Sequence, residues 1–469
     1  MKYLYTLILA IGLINFSRAQ TEKQYGEKFT FDVKNEQDPH FVLADNYNTY
    51  LLTVLNVDGI GAGHEMIVRK FDQKNTLVDT YQFDFPKIAP TGTFYSYLGY
   101  AESTNGKVAV FAEGHHGKTG EADIYKFEFD KATAKFTSTV LATSPIVSLN
   151  KSGDFYTERS LNGRFVALNY HKYRDKGGPD KNLLIVIEAA TLNVAWQKEV
   201  SFADEFTSQN YTVTNSGKVV LVRDMKGSKK GITYLSVISG AGQEDKHFDN
   251  QVFPNLIKAV SIGSQEYLVA FNSDAKNFRE DYFNNVMLYD LNAGKILNNT
   301  KIREFASVNK LTDVDIRDIE LQNNEIHIFA EAKSKAPEPQ RQTGAMMSLA
   351  NFDVAYNWGP AFLFVMSFDG QLKVTKKIST DHNTKADLYH SFGVINMRGT
   401  YYINAGDAFG VSSLTNTFDP GPTLISLNNF TGAKYINQLI TYFPDRGSLL
   451  LGCTYGNSQM ALVSVTGVK

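Results

Sequence analysis

The chain has 469 residues, 43% apolar and 20% charged, a composition that affords a large core and excludes global disorder. Lys and Arg number 47 against 49 Asp and Glu, a net charge of −2, so no basic excess points to nucleic acid or to a membrane surface. The single cysteine, Cys453, excludes an intrachain disulfide, a cysteine-based zinc site and an iron–sulfur cluster.

The first element is a leader. Met1-Lys2 precedes an apolar run from Tyr3 to Phe16, followed by Ser17-Arg18-Ala19-Gln20. One positive charge, a short apolar stretch and small residues at Ser17 and Ala19 are the layout of a secretory signal peptide cleaved after Ala19. The apolar run would reach roughly 21 Å as a helix, short of a bilayer core of about 30 Å. Gln20 rather than a cysteine directly follows the cleavage site, and no later segment is apolar enough to span a membrane. The expectation is a signal peptide over residues 1–19 and a single domain over 20–469. The mature chain is then exported to the periplasm, the cell surface or the medium, without a membrane span.

Beyond the leader the pattern is strand alternation, with little helical periodicity. A strand, a turn containing Asp, Asn or Gly, and a second strand recur along the chain. The copies are Glu65–Phe85, Asp123–Leu141, Leu183–Val200, Thr233–Phe248, Val286–Ile302, Phe362–Ile378 and Thr423–Ile440, and an incomplete one starts at Met460. Each follows a further alternating strand, starting near Leu51, Lys107, Phe165, Val219, Tyr267, Ile326, Tyr401 and Leu449. Units of about four strands at this spacing predict a β-propeller, because a four-stranded sheet covers both faces only when it is stacked radially between neighbours. The fold class is therefore all-β, with eight four-stranded blades and seven as the alternative. The last unit lacks a strand, and Lys28–Val33 (KFTFDV) is the spare strand expected to complete that C-terminal blade and close the ring.

With blade strands named a to d from the centre outward, the b–c connections read as long and the c–d turns as short. The long ones are Asp58–His64, Glu113–Glu121, His171–Lys181, Met225–Gly231, Asn272–Asn285, Lys333–Gly359 and Gly406–Pro422. All fall on one face, and irregular loops on a rigid scaffold are where binding residues concentrate. The candidate ligand-binding residues are His115, His116, His171, Tyr173, Arg174, Arg279, Asp281, Tyr282, Tyr356, Trp358, Asp407 and Phe409. Aromatic, Arg and Asp side chains on one concave face suit a glycan, a peptide or a protein.

Motifs with defined chemistry fail on context. Gly59-Ile60-Gly61-Ala62-Gly63 and Gly114-His115-His116-Gly117-Lys118-Thr119 are each followed by strand rather than helix, so neither has a helix N-terminus to hold phosphate. His64, His115, His116 and His171 lack a fixed ligand spacing, and no metal is assigned. Asp313, Asp315 and Asp318 read as the wall of an innermost strand, with Arg317 as counter-charge. No catalytic residue stands out.

Leu288-Tyr289-Asp290-Leu291-Asn292-Ala293-Gly294-Lys295 resembles the strand–turn unit of quinoprotein-like propellers, which often have eight blades. The blade-docking tryptophan of that family has a counterpart at Trp196 in the third repeat. The vicinal cysteine pair of the quinoprotein alcohol dehydrogenases has none, and the resemblance carries over no cofactor. The leading expectation is a binding scaffold for an extracellular glycan, peptide or protein. The alternatives are a hydrolase or lyase at the channel mouth of the same face, and a structural cell-surface protein.

Overall fold

The computed structural model describes residues 22–56, 64–85, 93–116, 119–148, 151–174, 177–203, 206–225, 233–248, 252–274, 285–304, 313–335, 356–377, 382–384, 392–397, 400–406, 412–416, 425–426 and 433–466. β1 (Glu22–Tyr25) and β2 (Phe29–Thr30) lead into a sheet of β3 (Glu36–Val42), β4 (Thr49–Asn56), β5 (His64–Phe71) and β6 (Leu77–Asp84). The second sheet is β7 (Thr93–Glu102), β8 (Lys107–His116), β9 (Glu121–Asp130) and β10 (Lys135–Pro145). The third is β11 (Gly153–Arg159), β12 (Phe165–Lys172), β13 (Asp180–Glu188) and β14 (Asn193–Phe202). The fourth is β15 (Phe206–Val213), β16 (Val219–Met225), β17 (Thr233–Ile238) and β18 (Gln243–His247). The fifth is β19 (Val252–Ile262), β20 (Gln265–Asp274), β21 (Asn285–Asp290) and β22 (Lys295–Lys301). The sixth is β23 (Asp313–Gln322), β24 (Glu325–Lys335), β25 (Tyr356–Ser367) and β26 (Leu372–Lys377), with β27 (His382–Thr384) also paired to β25. The seventh is β28 (Phe392–Met397), β29 (Thr400–Gly406), β30 (Ser412–Asn416) and β31 (Ile425–Ser426). Then come β32 (Ala433–Phe443), β33 (Ser448–Tyr455) and β34 (Gln459–Thr466).

The chain is thus an all-β β-propeller with four-stranded blades. Among the described residues, seven sheets each contain four consecutive strands, and the sixth adds β27. The expectation of eight blades therefore gives way to the alternative of seven, and at the C-terminus β32–β34 have no consecutive fourth strand. There β1 pairs with β34, with Glu22 opposite Thr466 and Tyr25 opposite Val463, and β2 pairs Phe29 with Met460. The completing strand read at Lys28–Val33 therefore starts earlier, at Glu22, and comes in two short pieces. The hairpin read over Thr423–Ile440 also divides, because Ala433–Phe443 is β32, the first strand of the following sheet. Alternation alone does not separate a turn within a blade from one between blades, since both join antiparallel strands.

The burial pattern explains the repeat. Middle strands have neighbours on both faces and read as near-continuous apolar runs: Phe165–Lys172 (FVALNYHK) is buried along six residues. Fourth strands lie at the edge, and Asn193–Phe202 (NVAWQKEVSF) is mostly exposed or half-buried. Asp72, Asp130 and Asp290 cap the third-to-fourth turns by accepting backbone N–H groups two residues on, at 2.8, 2.8 and 2.9 Å.

The chain divides into two compact units: Met1–Leu52 with Val68–Thr80 and Leu388–Lys469, and Thr53–Ile67 with Tyr81–Asp387. In the first, Ile395 and Tyr402 pack with Tyr435, Leu451 and Val463. In the second, each core layer lies between successive sheets. Phe111 and Ile124 meet Leu168 and Ile185, then Ala167 and Val186 meet Leu221, and Val222 meets Leu268 and Met287. The first strands β11, β15, β19 and β23 adjoin one another as an inner row.

Candidate functional site

Within the second unit the two ends of the sheets differ in how they are held. The first-to-second and third-to-fourth turns lock onto the next sheet. Ser103 Oγ donates to Ala190 O at 2.6 Å, Lys126 Nζ to Leu192 O at 2.9 Å, and Lys246 Nζ to Leu291 O at 2.6 Å. The Asn162 amide donates to Asn215 Oδ1 at 3.0 Å, and Lys218 reaches Glu266 at 2.9 Å. Trp196 Nε1 donates to Gly217 O at 2.9 Å, joining the third sheet to the fourth. These turns are consumed by the scaffold. The titratable side chains of the second-to-third ends are arranged differently.

In the second sheet β8 continues through His116 and β9 begins at Glu121, so the expected loop Glu113–Glu121 shortens and His115 and His116 stand on strand. Alternation sends them to opposite faces. His116 Nε2 lies 2.7 Å from Asp123 Oδ2 and 3.1 Å from the Tyr125 hydroxyl. Tyr125 donates to the same carboxylate at 2.9 Å, and Thr143 donates to its other oxygen at 2.6 Å. His116, Asp123 and Tyr125 are all buried. Burial, then the Asp123 carboxylate, raises the Tyr125 phenol well above its usual range and pushes Tyr95 up to about 12. His115 turns the other way, 3.4 Å from Glu113 and edge-on to Phe155, which stacks on Tyr170 at 4.1 Å. The cluster around His116 is closed to solvent and acts as a structural polar plug.

The third sheet is more open. β12 ends at Lys172 and β13 starts at Asp180, so His171 also belongs to strand rather than to the expected loop His171–Lys181. Its Nε2 lies 2.6 Å from Asp180 Oδ1; the His171 side chain is 26% exposed and that of Asp180 only 3%. Tyr173 is 41% exposed, with Lys151 Nζ 5.5 Å from its ring centroid. Arg174 is turned inward, its Nε donating to Gly178 O and closing the connection. His171, Tyr173 and Arg174 are thus brought to one strand end, whereas His115 and His116 serve the neighbouring sheet's packing. Asp123 and Asp180 escaped the sequence reading. Their signal was an acidic residue re-entering the next strand on the same face as a histidine.

The remaining candidates divide in two. Arg279, Asp281, Tyr282, Asp407 and Phe409 lie outside the described residues. Tyr356 and Trp358 are not in a loop: β25 starts at Tyr356, with Tyr356 opposite Lys335 and Thr384, and Trp358 opposite Lys333 and His382. An aromatic segment flanked by two strands has its backbone groups satisfied on both sides, which favours extended structure over loop. Within the expected loop Gly406–Pro422 stands β30, Ser412–Asn416.

A second polar group converges from the inner row. Glu158 on β11 pairs with Lys258 on β19 at 2.5 Å, reaching past β15, and Tyr156 meets Tyr211 edge-on at 6.2 Å. On β23, Arg317 bridges Asp315 at 3.0 Å and the buried Glu331 at 3.1 Å, the counter-charge role expected for it. Burial raises the Glu158 carboxyl, opposed by Lys258 and reinforced by Asp315. Burial with help from Glu320 raises Asp318 from 3.8 to about 7. The sequence pointed to Asp315 and Arg317 but not to Glu158 and Lys258, whose pairing needs strands a hundred residues apart.

The chain is similar to several solved structures at low identity. The β-propeller domain of the Trilobed protease from Pyrococcus furiosus aligns with a TM-score of 0.40 and 10% identity over 85% of this chain and 99% of that one. Pyrococcus horikoshii acylaminoacyl peptidase aligns at 0.37 and 11%, over 91% of this chain and 58% of that one. Synechocystis apocarotenoid oxygenase aligns at 0.34 and 9%, over 71% and 72%. Likenesses this distant carry no activity over to this chain. No protein-family model matches the chain, and no curated protein does.

Proposed function

We propose that the chain is an exported binding scaffold that takes an extracellular or periplasmic glycan, peptide or protein at the second-to-third strand ends of its blades. The observation that carries this reading is the asymmetry between the two ends. The first-to-second and third-to-fourth turns are tied sheet to sheet by hydrogen bonds such as Ser103 to Ala190 and Lys246 to Leu291. The opposite end presents half-exposed His171 and exposed Tyr173 on a rigid strand end. In the same proposal β1 and β2 tie the amino-terminal segment to the last sheet, supported by the pairing of Glu22–Tyr25 with Val463–Thr466. Export rests on the leader-like residues 1–19.

The test is a glycan and peptide array probed with the purified chain. Tyr173→Ala, Arg279→Ala and Trp358→Ala weaken the hit while leaving the thermal midpoint in place. Thr133→Arg and Asn292→Arg, at exposed turn positions of the other end, leave it intact. The reverse pattern overturns the reading.

A hydrolytic function is the second reading, favoured by one observation: a half-exposed histidine oriented by a buried aspartate has the arrangement of a general base. Hydrolysis of a chromogenic ester or glycoside that His171→Ala abolishes supports it. Turnover indifferent to that change removes it.

A further inference from the structure

The third sheet turns one face toward the fourth. Ala167, Leu184, Val186 and Val200 on that face pack against Val219 and Leu221. The register places Asn169 opposite Leu184, His171 opposite Asn182, and Asp180 opposite Phe202, so the polar residues at the second-to-third end share the face of the apolar ones. Arg223 approaches from the fourth sheet, its guanidinium 3.4 Å from the centroid of Phe202 and donating to Ser236 Oγ at 2.6 Å. A greasy interlayer therefore ends in a polar stratum.

Asn182 is fully buried, and neither its amide oxygen nor its amide nitrogen meets a hydrogen-bonding group. Asn169 is 2% exposed with its amide oxygen likewise unmatched. An unmatched buried amide is costly, and an apolar residue of similar shape avoids that cost. Immediately across the strand pair stands the half-exposed His171, and beyond it the exposed ring of Tyr173.

Resting on the binding reading above, we infer that this stratum is a carbohydrate subsite. A sugar ring lies on the Tyr173 face away from Lys151, and its hydroxyl groups displace the His171 ring to reach the Asn182 and Asn169 amides. The chemistry of the polar stratum selects the class. Amides and imidazole both donate and accept, as hydroxyl groups do, and an exposed tyrosine ring suits the apolar face of a pyranose.

Isothermal titration of the purified chain with cellotetraose, laminaritetraose, xylotetraose and mannotetraose tests this. At least one binds, and Tyr173→Ala weakens it roughly tenfold or more. Asn182→Leu weakens it as well, yet leaves the ligand-free thermal midpoint unchanged or higher. An amide kept for packing instead lowers the midpoint. Binding of a sugar that neither substitution alters overturns the subsite, as does a panel in which no sugar binds. A peptide-array hit lost in Tyr173→Ala, with no sugar bound, overturns the carbohydrate class while the binding face stands. Hits indifferent to every substitution at that end sink both.

Discussion

His171 and Asp180 end one strand and begin the next, nine positions apart, and their side chains lie 2.6 Å apart with the carboxylate buried and the imidazole half in solvent. The aspartate is 3% exposed and holds the ring, which together with Tyr173 is accessible at this end of the sheet. Asp180→Ala leaves the imidazole unanchored and costs about 1–3 kcal/mol of stability. Urea denaturation checks the cost. His171→Gln, which keeps a donor for the carboxylate, loses less.

Glu36 and Arg69 form a buried two-pronged pair at 2.6 and 2.7 Å, with side chains only 4% and 6% exposed. The rings of Phe29 and Phe31 lie 5.5 and 5.9 Å from the guanidinium. Arg69→Met strands the carboxylate and is expected to destabilise by about 3–5 kcal/mol. Combining it with Glu36→Leu recovers most of the loss, because no lone charge remains. Denaturation of the two single variants and the double variant closes the cycle.

Asp318 supplies a pH signature. Its folded-state carboxyl is raised from 3.8 to about 7, chiefly by burial. Between those values the folded chain holds a proton that the unfolded chain has lost. Its contribution therefore falls as pH rises through that window and is fully present below it. Thermal midpoints recorded from pH 4 to 7 decline more steeply in the parent chain than in Asp318→Asn. Equal slopes contradict the assignment.

Gly26 lies where the amino-terminal segment passes the Asn75 turn. A methyl group there would sit 2.3 Å from the Asn75 carbonyl oxygen, while Asn75 Nδ2 donates to Ser464 Oγ at 2.6 Å. Gly26→Ala pushes the segment off that turn and costs about 1–3 kcal/mol. Faster hydrogen exchange at Gln24 and Tyr25 accompanies the loss.

Much of the architecture was legible because a strand buried on both faces must be apolar throughout, as in FVALNYHK, while an edge strand such as NVAWQKEVSF stays polar. Strand starts near Lys107, Phe165 and Val219 coincide with β8, β12 and β16. The candidate site was less legible. Hydrogen bonds between paired strands carry β8 and β12 further than turn residues suggest, and that moved His115, His116 and His171 from loop to strand. Glu158 and Lys258 are joined by a fold that brings inner strands together, a relationship no local pattern encodes.

Period-two alternation, turn chemistry and the recurring unit determined by themselves that this is a repeated β-meander with a chain end to spare, because those are local consequences of steric and hydrophobic preference. Tertiary structure decided which histidine is sealed against Asp123 and which faces water beside Asp180. It also decided that β1 rather than Lys28–Val33 leads the pairing with β34. The reason is physical: solvent access and partner identity depend on what the neighbouring sheet places across the interlayer, and that neighbour lies tens of residues away along the chain.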